Sequence, residues 1–230
     1  MIVSCVKWGN KFSYKHVNRL YRMVQKNLTV PFTFVCHTED ATNIHPDIKI
    51  VPLDLSLDLE KWWWKLTLFQ TPTDEVNIFF DLDVVIQQNI NHFTNYVKCD
   101  KVCMVKAYWK SYELAEFDMN YNSSVMIWKG DCTYIWKEFI DNIDYYLLRY
   151  NGIDGYLYYH HSPNVLPRGE VYSRLFGIDE NNCYIIGEER KPYFKIDYPV
   201  CIFNGWRRDK INNQYLLDDE GYDELSSYWN

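Results

Sequence analysis

The sequence predicts an α/β fold: a mostly parallel mixed sheet flanked by helices. Strand-like and helix-like segments alternate through the first hundred residues, as in strand–helix–strand units whose crossovers make neighbouring strands parallel. The strand-like segments are continuous apolar runs rather than alternating ones, which means that both of their faces are covered. At 230 residues the chain is long enough for one large domain with a sizeable core, and residues 1–230 are read as a single domain.

The elements follow in order. "MIVSCVK" reads as a first strand. "SYKHVNRLYRMVQKNL" carries a helical stripe of Val17, Leu20, Tyr21, Val24 and Leu28, with Ser13 as N-cap. "FTFVCHT" and "IKIVPL" are further strands, and "LEKWWWKLTLFQ" is helical, stopped by Thr-Pro-Thr-Asp. The next strand is the apolar run "NIFFDLDVVI". "KVCMVKA" and "SSVMIWK" are strands, and "TYIWKEFIDNIDYYLLRY" is one long helix with Ile135, Phe139, Ile140, Ile143 and Leu147 on its apolar stripe. "IDGYLYYHH" is a short helix, "VCIFNGW" a short strand ending in a turn, and "LLDDEGYDELSSYWN" an acidic, weakly helical tail.

Composition sets limits. A net charge of −7 argues against a nucleic-acid surface. Aromatic content of 18%, with 20 Tyr and 9 Trp, fits an aromatic-rich core or a surface that stacks on flat or sugar-like ligands. The seven cysteines are scattered with no C-x-x-C pair, which points to reduced, buried thiols rather than a disulfide framework or zinc ribbon. The chain opens on "MIVSCV" with no basic leader, and no apolar run reaches the roughly 18 residues of a membrane span. The expectation is a soluble, cytoplasmic protein.

Asp81 and Asp83 interrupt the apolar run of Ile78, Phe79, Phe80, Leu82, Val84, Val85 and Ile86. An unpaired buried carboxylate is costly, so a compensating charge is required. On a strand the two side chains would share a face, at the end of the sheet where ligands bind in such folds. Two converging carboxylates suit a hard divalent cation, Mg²⁺ or Mn²⁺, completed by water and substrate phosphates. Ion pairing or turn capping is the plainer alternative. An apolar strand ending in D-x-D also resembles the nucleophile motif of haloacid-dehalogenase-type phosphatases, with Asp81 as nucleophile. In that family the motif lies near the N-terminus, whereas here a strand–helix–strand unit precedes it, and Asp218 and Asp219, the nearest match to its late acidic pair, lie in a polar tail.

The wider string "WWWKLTLFQTPTDEVNIFFDLDVVIQQNINHF" resembles nucleotide-sugar glycosyltransferases of the Rossmann-like GT-A fold, in particular the glycogenin-like and bacterial galactosyltransferase-like retaining enzymes. Lys65, Leu66, Leu68 and Phe69 match that family's K-L-x-L/C-[FW] helix, and Asp81 and Asp83 its metal-binding pair. "NYNSSVMIWKGD" resembles its N-S-[GS]-V-[ML]-x-[WF] strand, which carries over Asn122, Ser123 and Ser124. "YNGIDGYLYY" stands where the family has a G-D-Q-like element, with Asp154 the matching acid. The resemblance covers roughly residues 1–206. It implies a nucleotide-binding half over 1–100, a donor-sugar and acceptor half over 101–206, and a tail over 207–230.

The resemblance also implies roles. Asp81 and Asp83 would hold Mn²⁺ or Mg²⁺ against the diphosphate of a nucleotide-sugar, a UDP-sugar by family habit. Lys65, and Lys7 and Tyr14 of the first strand–helix loop, would contact the nucleotide, with Tyr14 stacking on the base. Ser123 and Ser124 would lie near the donor sugar, with Asn122 and Asp154 in the catalytic centre. The acceptor would be a glycan, a lipid-linked sugar or a protein, held by aromatics such as Trp109, Tyr112, Tyr156, Tyr158 and Tyr159. The family's closing motif, H-x-G-x-x-K-P-W, is altered to "FNGWRRDK". Asn204 replaces the metal-binding His, Gly205 is the turn glycine, and Arg207 or Arg208 supplies the cation. A carbonyl oxygen in place of imidazole shifts preference towards Mg²⁺. It also leaves open a non-catalytic sugar or nucleotide binder on the same fold. His160 and His161 are read as helix-surface residues.

Overall fold

A computed structural model describes residues 1–109, 120–174, 176–178, 194–203 and 227–228. Four strands, β1 (Ile2–Lys7), β2 (Thr33–Thr38), β3 (Lys49–Pro52) and β4 (Thr73–Phe80), are mutually parallel in the order β3-β2-β1-β4. Beyond β4 the sheet turns mixed. The long β7 (Tyr121–Gly130) runs antiparallel to β4, β6 (Cys103–Lys106) antiparallel to β7, and β8 (Asn164–Val165) parallel to β6. This seven-stranded sheet is the mixed α/β architecture expected.

Both faces of the sheet are covered, and the side-chain alternation of β4 shows it. Ile78 and Phe80 pack on one side with Val17, Leu20 and Val24 of α1 (Tyr14–Asn27). Phe79, between them, packs on the other side with Trp64, Met126 and Phe139. All three β4 side chains are fully buried, which is why the run reads as continuously apolar. Ser13 caps α1 as expected, its backbone N–H donating to His16 Nδ1 at 3.1 Å.

Several expectations are corrected. "KWWWKLTLF" is a 3₁₀ segment, Lys61–Phe69, rather than an α-helix. The long helix after β7 is two helices, α2 (Thr133–Asp141) and α3 (Ile143–Arg149), broken at Asn142 with φ −140° and ψ 38°. Asp-Asn side chains compete for local backbone bonds and weaken a helix at that point. The break lets α3 bury Tyr146 against Phe139 and Tyr156, with Ile143 and Leu147 of the expected stripe packed half-buried against the same core. α4 (Ile153–His161) begins after Gly152, whose φ of +143° and closeness to the Trp62 indole leave no room for a Cβ.

The strand through Asp81 and Asp83 also ends sooner than expected. β4 stops at Phe80; Asp81, Leu82 and Asp83 form a turn, and β5 (Val84–Ile86) leaves for a second sheet with β10 (Val200–Ile202) and β9 (Val171–Ser173). The two carboxylates therefore sit at a junction between sheets. The acidic tail and Tyr112 lie outside the described residues. No described helix is long and apolar enough to cross a membrane.

Much of the aromatic content is core. Trp64, Trp109, Tyr156 and Phe139 are fully buried, so Trp109 and Tyr156 cannot line an acceptor surface as expected. Phe139 stacks on Trp63 at 5.4 Å between ring centroids and meets Tyr156 edge-on at 5.7 Å. Phe139→Ala should destabilise the fold by about 3–5 kcal/mol. Urea unfolding checks this through a lower midpoint with an unchanged slope.

Candidate functional site

The chain adds β2 and β3 on one side of β1 and then returns to place β4 on the other. That reversal is where ligands settle in open α/β sheets, at the carboxyl ends of the strands. The turn after β4 lies there, beside the loop that follows β1.

Six of the expected residues are brought together by one continuous network. The Lys65 ammonium donates to Asp81 Oδ2 at 2.8 Å, to Ser123 Oγ at 3.1 Å and to the Ser123 carbonyl at 3.4 Å. Those three acceptors match the three N–H donors of an ammonium. The Ser123 N–H donates to Asp154 Oδ1 at 3.0 Å, and the Ser124 N–H to Asn122 Oδ1 at 3.0 Å. The Ser124 carbonyl accepts from the Asp81 N–H at 2.9 Å, closing the circuit.

Local sequence explains how this forms. The pairing of β6 with β7 slips between Met104, opposite Met126, and Val105, opposite Asn122. The extra residues of β7 at the slip are Ser123, Ser124 and Val125. Such bulges free peptide groups from the ladder and re-aim side chains, and small serines fit where Lys65 and Asp154 approach. Asp154 lies in the first turn of α4, a favourable place for an acid, and it also accepts a bond from β7.

The charge that compensates Asp81 is thus Lys65, whose side chain is only 9% exposed. Asp83 is less well matched. Lys11, a residue of the first loop that the sequence reading passed over, lies 4.0 Å from Asp83 Oδ2, but its side chain is 55% exposed. Burial first, and then the neighbouring Asp81 charge, push the Asp83 carboxyl above its ordinary range, with Lys11 and Lys65 opposing. The Asp83 carbonyl accepts from the Phe203 N–H at 3.1 Å, fixing the turn against the end of β10.

The pair fits a hard divalent cation as two of its oxygen ligands: the carboxylates are adjacent and partly exposed, and Lys65 engages only Oδ2 of Asp81. Among the described residues, no three or more His, Cys, Asp or Glu side chains gather around a point that could hold a metal. Asn204, Gly205, Arg207 and Arg208 lie outside the described residues.

Lys7 and Tyr14 are not drawn into the network. The buried Lys7 ammonium lies 3.8 Å from Asp40 Oδ2, and half-buried Tyr14 opens α1. Gly9 donates its N–H to Glu39 Oε1 at 2.7 Å, tying the first loop to the end of β2. The histidines of α4 serve packing. His160 lies 2.9 Å from Glu138 Oε1 and 3.0 Å from the Tyr150 hydroxyl. The His161 side chain, expected on the surface, is buried, and burial lowers its pKa to about 4.

The raised Asp83 pKa carries a stability consequence. The unfolded chain ionises Asp83 near the ordinary value of 3.8, before the folded chain does. Asp83 therefore costs stability as pH rises through that value, fully so above its raised folded value, and the cost vanishes below 3.8. Without added metal, Asp83→Asn should raise the unfolding midpoint at pH 7 and leave it unchanged near pH 3. Calorimetry at the two pH values checks this.

No protein-family model and no curated protein sequence matches this chain. Solved structures do. A galactosyltransferase LgtC in complex with donor and acceptor sugar analogues superposes with a TM-score of 0.59 at 10% identity, over 91% of this chain and 90% of that one. An active-site mutant of LgtC gives 0.60 at 11% identity, over 99% and 95%. The glycosyltransferase GlyE of Streptococcus pneumoniae TIGR4 gives 0.51 at 8% identity, over 73% of this chain and 45% of that one. The agreement extends over nearly the whole of both chains for LgtC, and this chain has the GT-A fold of those glycosyltransferases.

Proposed function

We propose that this chain is a metal-dependent glycosyltransferase. It moves a sugar from a nucleotide diphosphate, uridine diphosphate by the habit of the enzymes it resembles, to an acceptor hydroxyl with retention of configuration. The observation that carries this reading is the network of Lys65, Asp81, Ser123 and Asp154 beside Asp83, placed at the strand-order reversal of a GT-A sheet. Residues 1–100 form the nucleotide half and 101–206 the sugar half of one domain, with 207–230 as a tail.

The difficult step is departure of a charged diphosphate from the anomeric carbon. A bound Mn²⁺ or Mg²⁺ would neutralise the charge that develops on that leaving group. The chain's own residues prepare for this. Asp81 and Asp83 would supply oxygen ligands, and the resemblance makes Asn204, outside the described residues, the candidate for a third. Lys65 fixes the Asp81 carboxylate and the Ser123 peptide, so both sides of the site move as one unit. Asp154, oriented by the Ser123 N–H, has a second oxygen for sugar hydroxyls or for positive charge at the anomeric carbon. Asn122 holds the Ser124 peptide that in turn holds Asp81. By the resemblance, Tyr14 and Lys7 would contact the base and phosphates, and Arg207 or Arg208, outside the described residues like Gly205, would supply a cation to the diphosphate.

Thermal unfolding with a panel of nucleoside diphosphates, each with Mn²⁺, Mg²⁺ or EDTA, tests the donor site. A ligand at 100 times its dissociation constant stabilises the fold by about 2.7 kcal/mol, a midpoint rise of roughly 5–10 °C for a domain of this size. The expected result is a rise with one base, lost with EDTA and in Asp81→Asn, followed by hydrolysis or transfer of the matching sugar nucleotide. No rise with any nucleotide contradicts the reading. Nucleotide binding without metal dependence or turnover would indicate a binder on the same fold.

A further inference from the structure

Several aromatic residues that are not fully buried gather beside the network. Tyr121 precedes Asn122 on β7, and Tyr158 follows Asp154 by one turn of α4; their rings lie 5.0 Å apart. Tyr108, just past β6, follows Lys106, the residue paired with Tyr121 across the strands, by two positions. All three rings are partly exposed, and Tyr159, edge-on to Tyr158, is about half exposed. Such rings can stack on the apolar face of a sugar.

Two cations share this cluster. The Arg168 guanidinium sits 4.5 Å from the centre of the Tyr108 ring, and the Lys106 ammonium 5.5 Å from the same centre. Lys106 is also the strand partner of Tyr121. Their charges are therefore no farther apart than the sum of those two distances. Among the described residues neither cation pairs with a carboxylate, although the whole chain carries a net charge of −7. A ring face holds one cation modestly. Two like charges near one ring repel, and an anion bound close to both would relieve the repulsion.

We propose that Tyr108, Tyr121 and Tyr158 with Lys106 and Arg168 form the acceptor subsite, and that the acceptor is an anionic sugar bearing a carboxylate or a phosphate. This rests on the transferase reading and names its acceptor class. The rings take the sugar face beside Asp154, and Arg168 pairs the acidic group through its planar fork of donors, with Lys106 as a second point charge.

Titration calorimetry at low salt tests it, with methyl glucoside, methyl glucuronide, glucose 6-phosphate and inorganic phosphate as probes. The proteins are the wild type and the double variant Lys106→Gln with Arg168→Gln, at a half-buried and an exposed position. One charged sugar should bind the wild type about tenfold more tightly than methyl glucoside, and added salt should shrink that preference. The double variant should lose the preference while keeping its nucleoside diphosphate affinity. Whether glucuronide or sugar phosphate binds better separates carboxylate from phosphate. Three results would overturn the proposal: neutral sugar binding as tightly as both charged ones or no sugar binding, a preference that survives in the double variant, or inorganic phosphate binding as tightly as the sugar phosphate. Failure of the donor reading shows separately, as absent nucleotide binding by the wild type.

Discussion

The ion pair between Lys65 and Asp81 is the interaction on which the rest of the site depends. It joins three pieces of chain at one point: the 3₁₀ segment, the turn after β4 and the bulge of β7. A buried ammonium is tolerated only with its donors satisfied, and here three acceptors surround it. Removing one partner of such a pair costs about 3–5 kcal/mol, because the other charge is left uncompensated. The pair therefore fixes the Asp81 carboxylate and, through Ser123, the position of Asp154.

The same pair leaves a deficit. One buried cation faces two adjacent carboxylates, and the second nearby cation, Lys11, stands 4.0 Å from Asp83 on a largely exposed side chain. Coulomb attraction at such a position is heavily screened. Asp83 is held in place by Phe203 of the second sheet rather than by its own charge partner. This turn, tied down but electrostatically incomplete, is where the proposed function places Mn²⁺ or Mg²⁺.

How much of this was legible in the sequence depends on the range of the interactions. The parallel strands were legible, because burial on both faces leaves an unbroken apolar run such as Ile78–Phe80. The grouping of Lys65, Asp81, Asn122, Ser123, Ser124 and Asp154 was also legible, through motif order. The partnership between Lys65 and Asp81 was not, since a lysine bonded to a carboxylate 16 positions away leaves no periodic signal. The division of the apolar run between two sheets was hidden for a similar reason: Val84–Ile86 is as apolar as Ile78–Phe80, and only pairing with β10 distinguishes them. The break at Asn142 did carry a local signal, Asp141-Asn142 inside a helical stripe, and the stripe masked it. The aromatic residues divide by burial, which composition cannot show. Trp109 and Tyr156 fill the interior, whereas Tyr108, Tyr121 and Tyr158 line an edge beside the network.

By the proposed function, the Asp81–Asp83 turn, completed by Lys65, holds a divalent cation against a nucleotide diphosphate. Electron paramagnetic resonance of Mn²⁺ tests it most directly, because free aqueous Mn²⁺ loses signal amplitude when the protein takes it up. The expected result is one Mn²⁺ bound per chain in the presence of uridine diphosphate, with binding lost in Asp83→Asn and in Asp81→Asn. Equal Mn²⁺ uptake by the wild type and both variants would contradict it.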